Sequence, residues 1–167
     1  VYHLALFLES RGLGRDHAGC VFSYNNPQWV HLDLATLLVG AKSAGIYPNS
    51  TAKDILYILN HTEAKLLGVQ NKEYFLRIAD DRGNVALPKS VELVISFDND
   101  TSFSPLAVGY DAALEAGKKI AQSRDPSALQ TMLGRLKPED GTLMIYTSGT
   151  TGNPKGALLS HDNLVFT

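Results

Sequence analysis

Short apolar runs recur along this chain, and most of them lead through a turn into a stretch with helical signals. Ala18 to Tyr24, Lys65 to Gln70, Val91 to Phe97 and Thr142 to Thr147 are too brief for helices and read as strands. Strands that alternate with helices point to a mostly parallel sheet, because parallel neighbours need long crossovers and helices supply them. Near-continuous apolar strands further imply a sheet covered on both faces.

The helical segments carry their own punctuation. Leu4 and Leu8 place a helix that ends near Gly12 and Gly14. Asn26 is a candidate N-cap, with Pro27 at the first helical position. Val30, Leu34, Leu37, Ala41 and Ala44 recur at helical spacing and predict a helix packed on the sheet. A brief extended segment, Ile46-Tyr47, then meets Pro48-Asn49. Thr51 with Asp54 opens a helix through Ile55, Ile58 and Leu59. Lys72 to Asp81 is predicted helical and ended by Arg82-Gly83, and Asp98 to Pro105 is a loop. Asp111 to Gln122 and Pro126 to Leu136 read as helices, Ala157 to Ser160 as extended, and Asp162 as the start of a last helix. The expected fold is α/β, a mostly parallel sheet flanked by helices.

Composition narrows the function classes. The chain has 167 residues, enough for one domain with a real core. A net charge of -2 with scattered basic residues gives no case for nucleic acid. The longest apolar stretch, Leu34 to Ala41, is broken by Thr36 and Gly40 and falls far short of a membrane span. Cys20 is the only cysteine, so no internal disulfide can form, and a reducing, cytoplasmic setting is expected. Its apolar neighbours predict a small buried strand residue rather than a reactive thiol. Both ends read as cut, since Val1 to Glu9 and Leu164 to Phe166 look like interrupted helices.

One segment carries the chemistry. Thr147-Ser-Gly-Thr-Thr-Gly-Asn-Pro-Lys-Gly156 follows directly on a strand. Gly149, Gly152 and Gly156 allow sharp turns and close approach of the backbone to a ligand. Turned amides form a nest with positive character. Thr147, Ser148, Thr150 and Thr151 add hydroxyl donors, and Lys155 adds a mobile positive charge. The set suits a polyphosphate, and it exceeds what a polar surface turn needs. It is not a Walker loop, because Pro154 precedes the lysine, Gly156 follows it, and the next residues read as extended rather than helical. It is not a nucleophile elbow either, because Tyr146 stands where a glycine two places before Ser148 is required.

From Ile145 to Leu164, including the trailing Ser160-His-Asp-Asn-Leu164, the chain resembles the phosphate loop of the adenylate-forming, or AMP-binding, superfamily. Acyl-CoA synthetases, luciferases and peptide-synthetase adenylation domains belong to it. Asn25-Asn-Pro-Gln-Trp29, Gly45-Ile-Tyr-Pro48 and His61-Thr-Glu-Ala-Lys65 extend the likeness in the same order. Long-chain fatty acyl-CoA ligases are the most similar, and Gly45-Ile-Tyr47 with Leu159-Ser-His-Asp-Asn163 look nearest to the bubblegum type. Ala157-Leu158 depart from the valine and methionine usual there, an apolar change expected not to touch phosphate binding.

The resemblance implies the first part of a large N-terminal AMP-binding domain. It implies that Thr147, Ser148, Gly149, Thr150, Thr151, Gly152 and Lys155 hold the β- and γ-phosphates of ATP, with Lys155 catalytic. The implied reaction activates a long-chain fatty acid to an acyl-adenylate and then an acyl-CoA, with ATP, magnesium (Mg2+) and CoA as co-substrate. Peripheral membrane contact of the parent and self-association of the piece through open strand edges stay open. The residues that the family uses for magnesium, ribose and the final lysine fall outside Val1 to Thr167. Two alternatives remain beside it: a phosphate-binding module without catalysis, and another adenylate-forming enzyme such as an amino-acid adenylation domain. A P-loop phosphotransferase depends on whether Ala157 to Ser160 is strand or helix.

Other residues read as structural. His161 has no partner acid or base nearby in sequence, and Ser160 and Asp162 suit a helix cap. His3, His17, His31 and His61 lack metal-ligand spacing. Trp29 reads as a packing residue, Glu9, Glu63, Glu73 and Asp80 as solvated helix faces, and Asp98 and Asp100 as parts of an exposed turn.

Overall fold

The computed structural model describes residues 1–80, 82–147 and 153–165. In chain order they form α1 (Tyr2–Ser10), β1 (Ala18–Phe22), α2 (Pro27–Leu38), β2 (Lys42–Ile46), α3 (Ala52–His61), β3 (Leu66–Val69) and α4 (Lys72–Leu76). There follow β4 (Leu93–Ser96), β5 (Ala107–Gly109), α5 (Tyr110–Gln122), α6 (Ala128–Gly134), β6 (Gly141–Thr147), β7 (Lys155–Ser160) and α7 (His161–Val165). The strands make one sheet in the order β5-β4-β3-β1-β2-β6-β7. Every neighbouring pair is parallel except β6 and β7, which are antiparallel. The predicted α/β class is what forms.

Two apolar layers cover the sheet. One joins α1, α2 and α5 to Val21, Leu66, Leu93 and Ile95. The other joins α3 and α4 to Cys20, Phe22, Ala44, Ile46, Leu67 and Val94. Alternate residues of each strand thus point to opposite layers, as the two-residue strand period requires. The chain leaves β1 toward one layer and β2 toward the other, so the carboxyl ends of these neighbours diverge. In open α/β sheets, such a divergence is where ligands bind.

Helix ends are specified locally. Asn26 caps α2 by accepting from the Trp29 amide at 2.8 Å, with Pro27 first in the helix. Thr51 caps α3 by accepting from the Asp54 amide at 3.2 Å. At its far end α2 closes in a paired motif: Gly40 N–H donates to Leu37 and Ala41 N–H to Thr36. This geometry needs a left-handed residue, and Gly40 supplies it with φ of +82°. Glu63 takes the same position after α3 at φ +48°, so it is a cap residue and not a solvated helix face.

Several expectations change. The predicted stripe Val30, Leu34, Leu37, Ala41 and Ala44 does not hold, because α2 stops at Leu38 and Ala44 lies in β2. Val30 and Leu34 are exposed, whereas Leu37 of that stripe does face inward, together with Leu32, Ala35 and Leu38. The extended segment begins at Lys42, earlier than Ile46, and is hidden in sequence by its small residues. Those are small for a reason: a Cβ on Gly45 would sit 3.2 Å from Cζ2 of Trp29. The helix expected through Asp81 ends at Leu76, and Asp81 lies outside the described residues. Asp80 instead accepts from the Arg82 and Asn84 amides, closing a turn. Glu9 is not merely solvated but pairs with Arg124 at 2.6 Å and Arg135 at 3.3 Å.

Cys20 is fully buried in β1, and burial pushes its thiol up to about 12. The folded protein should therefore react with a thiol reagent at pH 8 only as fast as it unfolds. A raised folded value means that the stability tied to the neutral thiol is complete below the unfolded value of roughly 8.5 and is lost as pH climbs toward 12. Reagent kinetics with and without urea check the first statement, and denaturation midpoints between pH 8 and 11 check the second. Rapid labelling in the absence of denaturant would contradict the burial.

Candidate phosphate-binding site

The two strands that flank the glycine-rich segment pair as antiparallel arms. β6 ends at Thr147, β7 begins at Lys155, and these two residues lie opposite each other in the ladder. Both are exposed at the carboxyl edge of β6. The expected hydroxyl and the expected lysine are thus brought together where the loop opens. Ser148, Gly149, Thr150, Thr151 and Gly152 lie outside the described residues. Since the segment after the loop is a strand, the phosphotransferase reading that required a helix there is set aside.

Tyr146 holds the base of this hairpin. Its side chain is buried, and its hydroxyl shares a 2.6 Å hydrogen bond with His61 Nδ1 at the end of α3. Burial, followed by the proximity of Cys20 and Tyr57, pushes the phenol up to about 12. Tyr57 stacks on His61, with ring centroids 5.5 Å apart. Across the ladder from Tyr146 is Gly156, and a Cβ there would lie 3.0 Å from the tyrosine ring. Gly156 is therefore explained by the ring beside it, a role the sequence reading assigned only to backbone freedom. Apart from its place in His61-Thr-Glu-Ala-Lys65, nothing local in sequence gives His61 a role or ties it to a residue 85 positions away.

Two hollows meet at this edge. One, of about 400 Å³, is bordered by Tyr47, Asn49, Ser50, Asp54, Tyr146 and Pro154. The other, of about 240 Å³, lies on the far side of Tyr47 and Tyr146 and is floored by Trp29, Gly45, Met144 and Ile145. Arg77 holds the loop after β2 in place by donating to the carbonyls of Pro48 at 2.5 Å and Ser50 at 3.2 Å. Its guanidinium also lies over the rings of Phe22 and Tyr74, at 5.2 and 5.3 Å.

The remaining candidates fall outside the site. Ser160 caps α7 by accepting from the Asn163 amide at 3.3 Å, and His161 donates its own amide to the Asp140 carbonyl. Asp98 and Asp100 accept amides two residues on, as turn residues do. Among the described residues, no group of three or more His, Cys, Asp or Glu is placed to hold a metal ion. No described helix is long and apolar enough to cross a membrane.

The AMP-binding enzyme family model matches residues 1–167. The long-chain-fatty-acid–CoA ligase FadD15 of Mycobacterium bovis is 34% identical over 162 residues, covering 96% of this chain and 25% of that protein. The long-chain-fatty-acid–CoA ligase ACSBG2 of Xenopus laevis is 30% identical over 156 residues, covering 93% of this chain and 20% of its own length. The chain thus spans a fifth to a quarter of the curated relatives it matches. Among solved structures, an acyl-CoA synthetase of Brucella canis superposes with a TM-score of 0.74 at 19% identity, covering 99% of this chain and 27% of that one. The N-terminal domain of FACL13 from Mycobacterium tuberculosis gives 0.71 at 20%, covering 98% and 36%. At such identities the structures establish the fold.

Proposed function

Because this chain belongs to the AMP-binding enzyme family, we propose that it forms the opening part of the large domain of an ATP-dependent long-chain fatty acid–CoA ligase. The observation that carries the reading is the β6–β7 hairpin, which sets Thr147 and Lys155 face to face at the carboxyl edge of a doubly covered sheet. The family match and the long-chain ligase names of the relatives support the substrate class.

In this reading a fatty carboxylate oxygen attacks the α-phosphorus of ATP, and the bond to pyrophosphate breaks. A CoA thiol then displaces AMP from the acyl carbon, giving the thioester. Thr147, Ser148, Gly149, Thr150, Thr151 and Gly152 hold the β- and γ-phosphates through hydroxyls and turned amides. Lys155, solvent-exposed and without an ion-pair partner among the described residues, is free to follow charge onto the departing pyrophosphate. The hollow beside Pro154 is bordered by hydroxyl, amide, phenol and carboxylate groups together with Ile58. When bound, magnesium neutralises phosphate charge. Among the described residues no group of three or more His, Cys, Asp or Glu is placed to hold it.

Hydroxylamine trapping in the full-length protein tests the substrate class. Palmitate should be trapped faster than any amino acid in a panel. Faster trapping of an amino acid would replace the fatty substrate, and no trapping with any acid would leave a phosphate-binding module.

A further inference from the structure

The contact between α3 and the hairpin points to a role that neither phosphate chemistry nor metal binding gives His61. We propose that His61 is a positioning residue for the paired strands β6 and β7, and so for Thr147 and Lys155, acting through Tyr146; its effect on nucleotide use rests on the function proposed above.

Tyr146 touches both arms of the hairpin. It belongs to β6, one residue before the loop opens, and its ring fills the space beside Gly156 on β7. A ring in that place sets the separation and tilt of the two strands only while it keeps one orientation. The directional constraint comes from the hydroxyl, bonded at 2.6 Å to His61 Nδ1. A buried hydroxyl without a partner is costly, so the ring is held where the imidazole can meet it.

The imidazole is itself held. It stacks on Tyr57 one helical turn earlier, with planes 18° apart, and meets the Tyr146 ring edge-on at 85°. It also stands in the last turn of α3, a helix whose Asp54 and Ile58 line the hollow beside Pro154. Spacings of four and three residues put Asp54, Ile58 and His61 along one side of α3. That side faces the hairpin, so α3 acts as the rigid support against which the loop's base is set. Thr147 follows Tyr146 directly, and the placement of its hydroxyl and of Lys155 opposite inherits the setting of the ring.

The test uses the full-length protein with His61→Ala, His61→Asn and Tyr146→Phe, and the double variant His61→Ala/Tyr146→Phe. Asparagine can place an amide near the position of Nδ1, and phenylalanine keeps the ring beside Gly156 while removing the hydroxyl. His61→Ala and Tyr146→Phe should each lower kcat/KM for ATP about fivefold to tenfold, with the KM for palmitate unchanged. The double variant should fall no further than either single one, and His61→Asn should recover most of the loss.

Hydrogen exchange without nucleotide reads the geometry independently of activity. Amides of residues 142–147 and 155–160 should exchange faster in His61→Ala and Tyr146→Phe, with those of β1 and β3 unchanged. Exchange unchanged in the hairpin overturns the positioning role, whatever the kinetics. If exchange rises as expected but the wild-type protein shows no ATP-dependent activation of any acid, the proposed function fails while the structural role of His61 stands. Additive losses in the double variant, or a shifted palmitate KM, would show that His61 acts by another route and overturn the inference.

Discussion

Lys155→Ala in the full-length protein is expected to slow fatty-acid-dependent pyrophosphate exchange by about a hundredfold to a thousandfold. Lys155 opens β7 directly opposite Thr147, exposed and with no ion-pair partner among the described residues. Removing it costs the fold little, so the loss should fall on chemistry rather than on stability. Interactions that strengthen as charge develops lower kcat, whereas those equal in both states change only KM. The KM for palmitate should therefore hold while the exchange rate collapses. Lys155→Arg separates charge from shape: it keeps the cation but presents a planar fork in place of a compact ammonium. An exchange rate within threefold of wild type in Lys155→Ala would remove the lysine from the proposed mechanism.

Gly117→Ala is expected to destabilise the protein by about 1–3 kcal/mol or more, the range for overpacked cores. Helix propensity alone argues the opposite sign, since alanine is favoured over glycine by roughly 1 kcal/mol inside a helix. Packing decides. Gly117 lies in α5 where it meets α1, and an added Cβ would stand 1.8 Å from the His3 carbonyl oxygen. Backbone cannot swing aside as a side-chain tip can, so the two helices must separate. Gly134→Ala is the internal control, because an added Cβ there meets nothing within 4 Å. Urea midpoints of the two variants should move in different directions, or at least differ by more than 1 kcal/mol of unfolding free energy. Equal midpoints would mean that α1 and α5 are not in the close contact described.

Local signals in the sequence gave way to tertiary ones at identifiable residues. Asn26 with Pro27 and Thr51 with Asp54 were readable because a cap is a short-range device, complete within four residues. Ala41 and Ala44 misled because an apolar small residue serves a helix face and a buried strand equally well, and the left-handed Gly40 just before them was the warning. β5 was missed because three residues leave no period to detect. The glycine-rich segment stood out in composition and spacing, and the strand after it was read correctly. The contacts that support it were not, since His61 and Tyr146 or Arg77 and Pro48 are brought together only by the fold.

The position of β6 has a kinetic consequence. The chain leaves β5 at one edge of the sheet, builds α5 and α6, and returns past four strands to dock beside β2. Contacts between β2 and β6 pair Ser43 with Leu143, among the most distant in sequence that the sheet contains. Entropy of closing so long a loop is lost before those contacts repay it, so such pairings form late. Strands β1 to β5 pair without it, whereas the hairpin that presents Lys155 docks on β2 only with that return. A phosphate ligand would then act as a latch on the last step of folding, slowing the release of β6 more than it speeds the assembly of the rest.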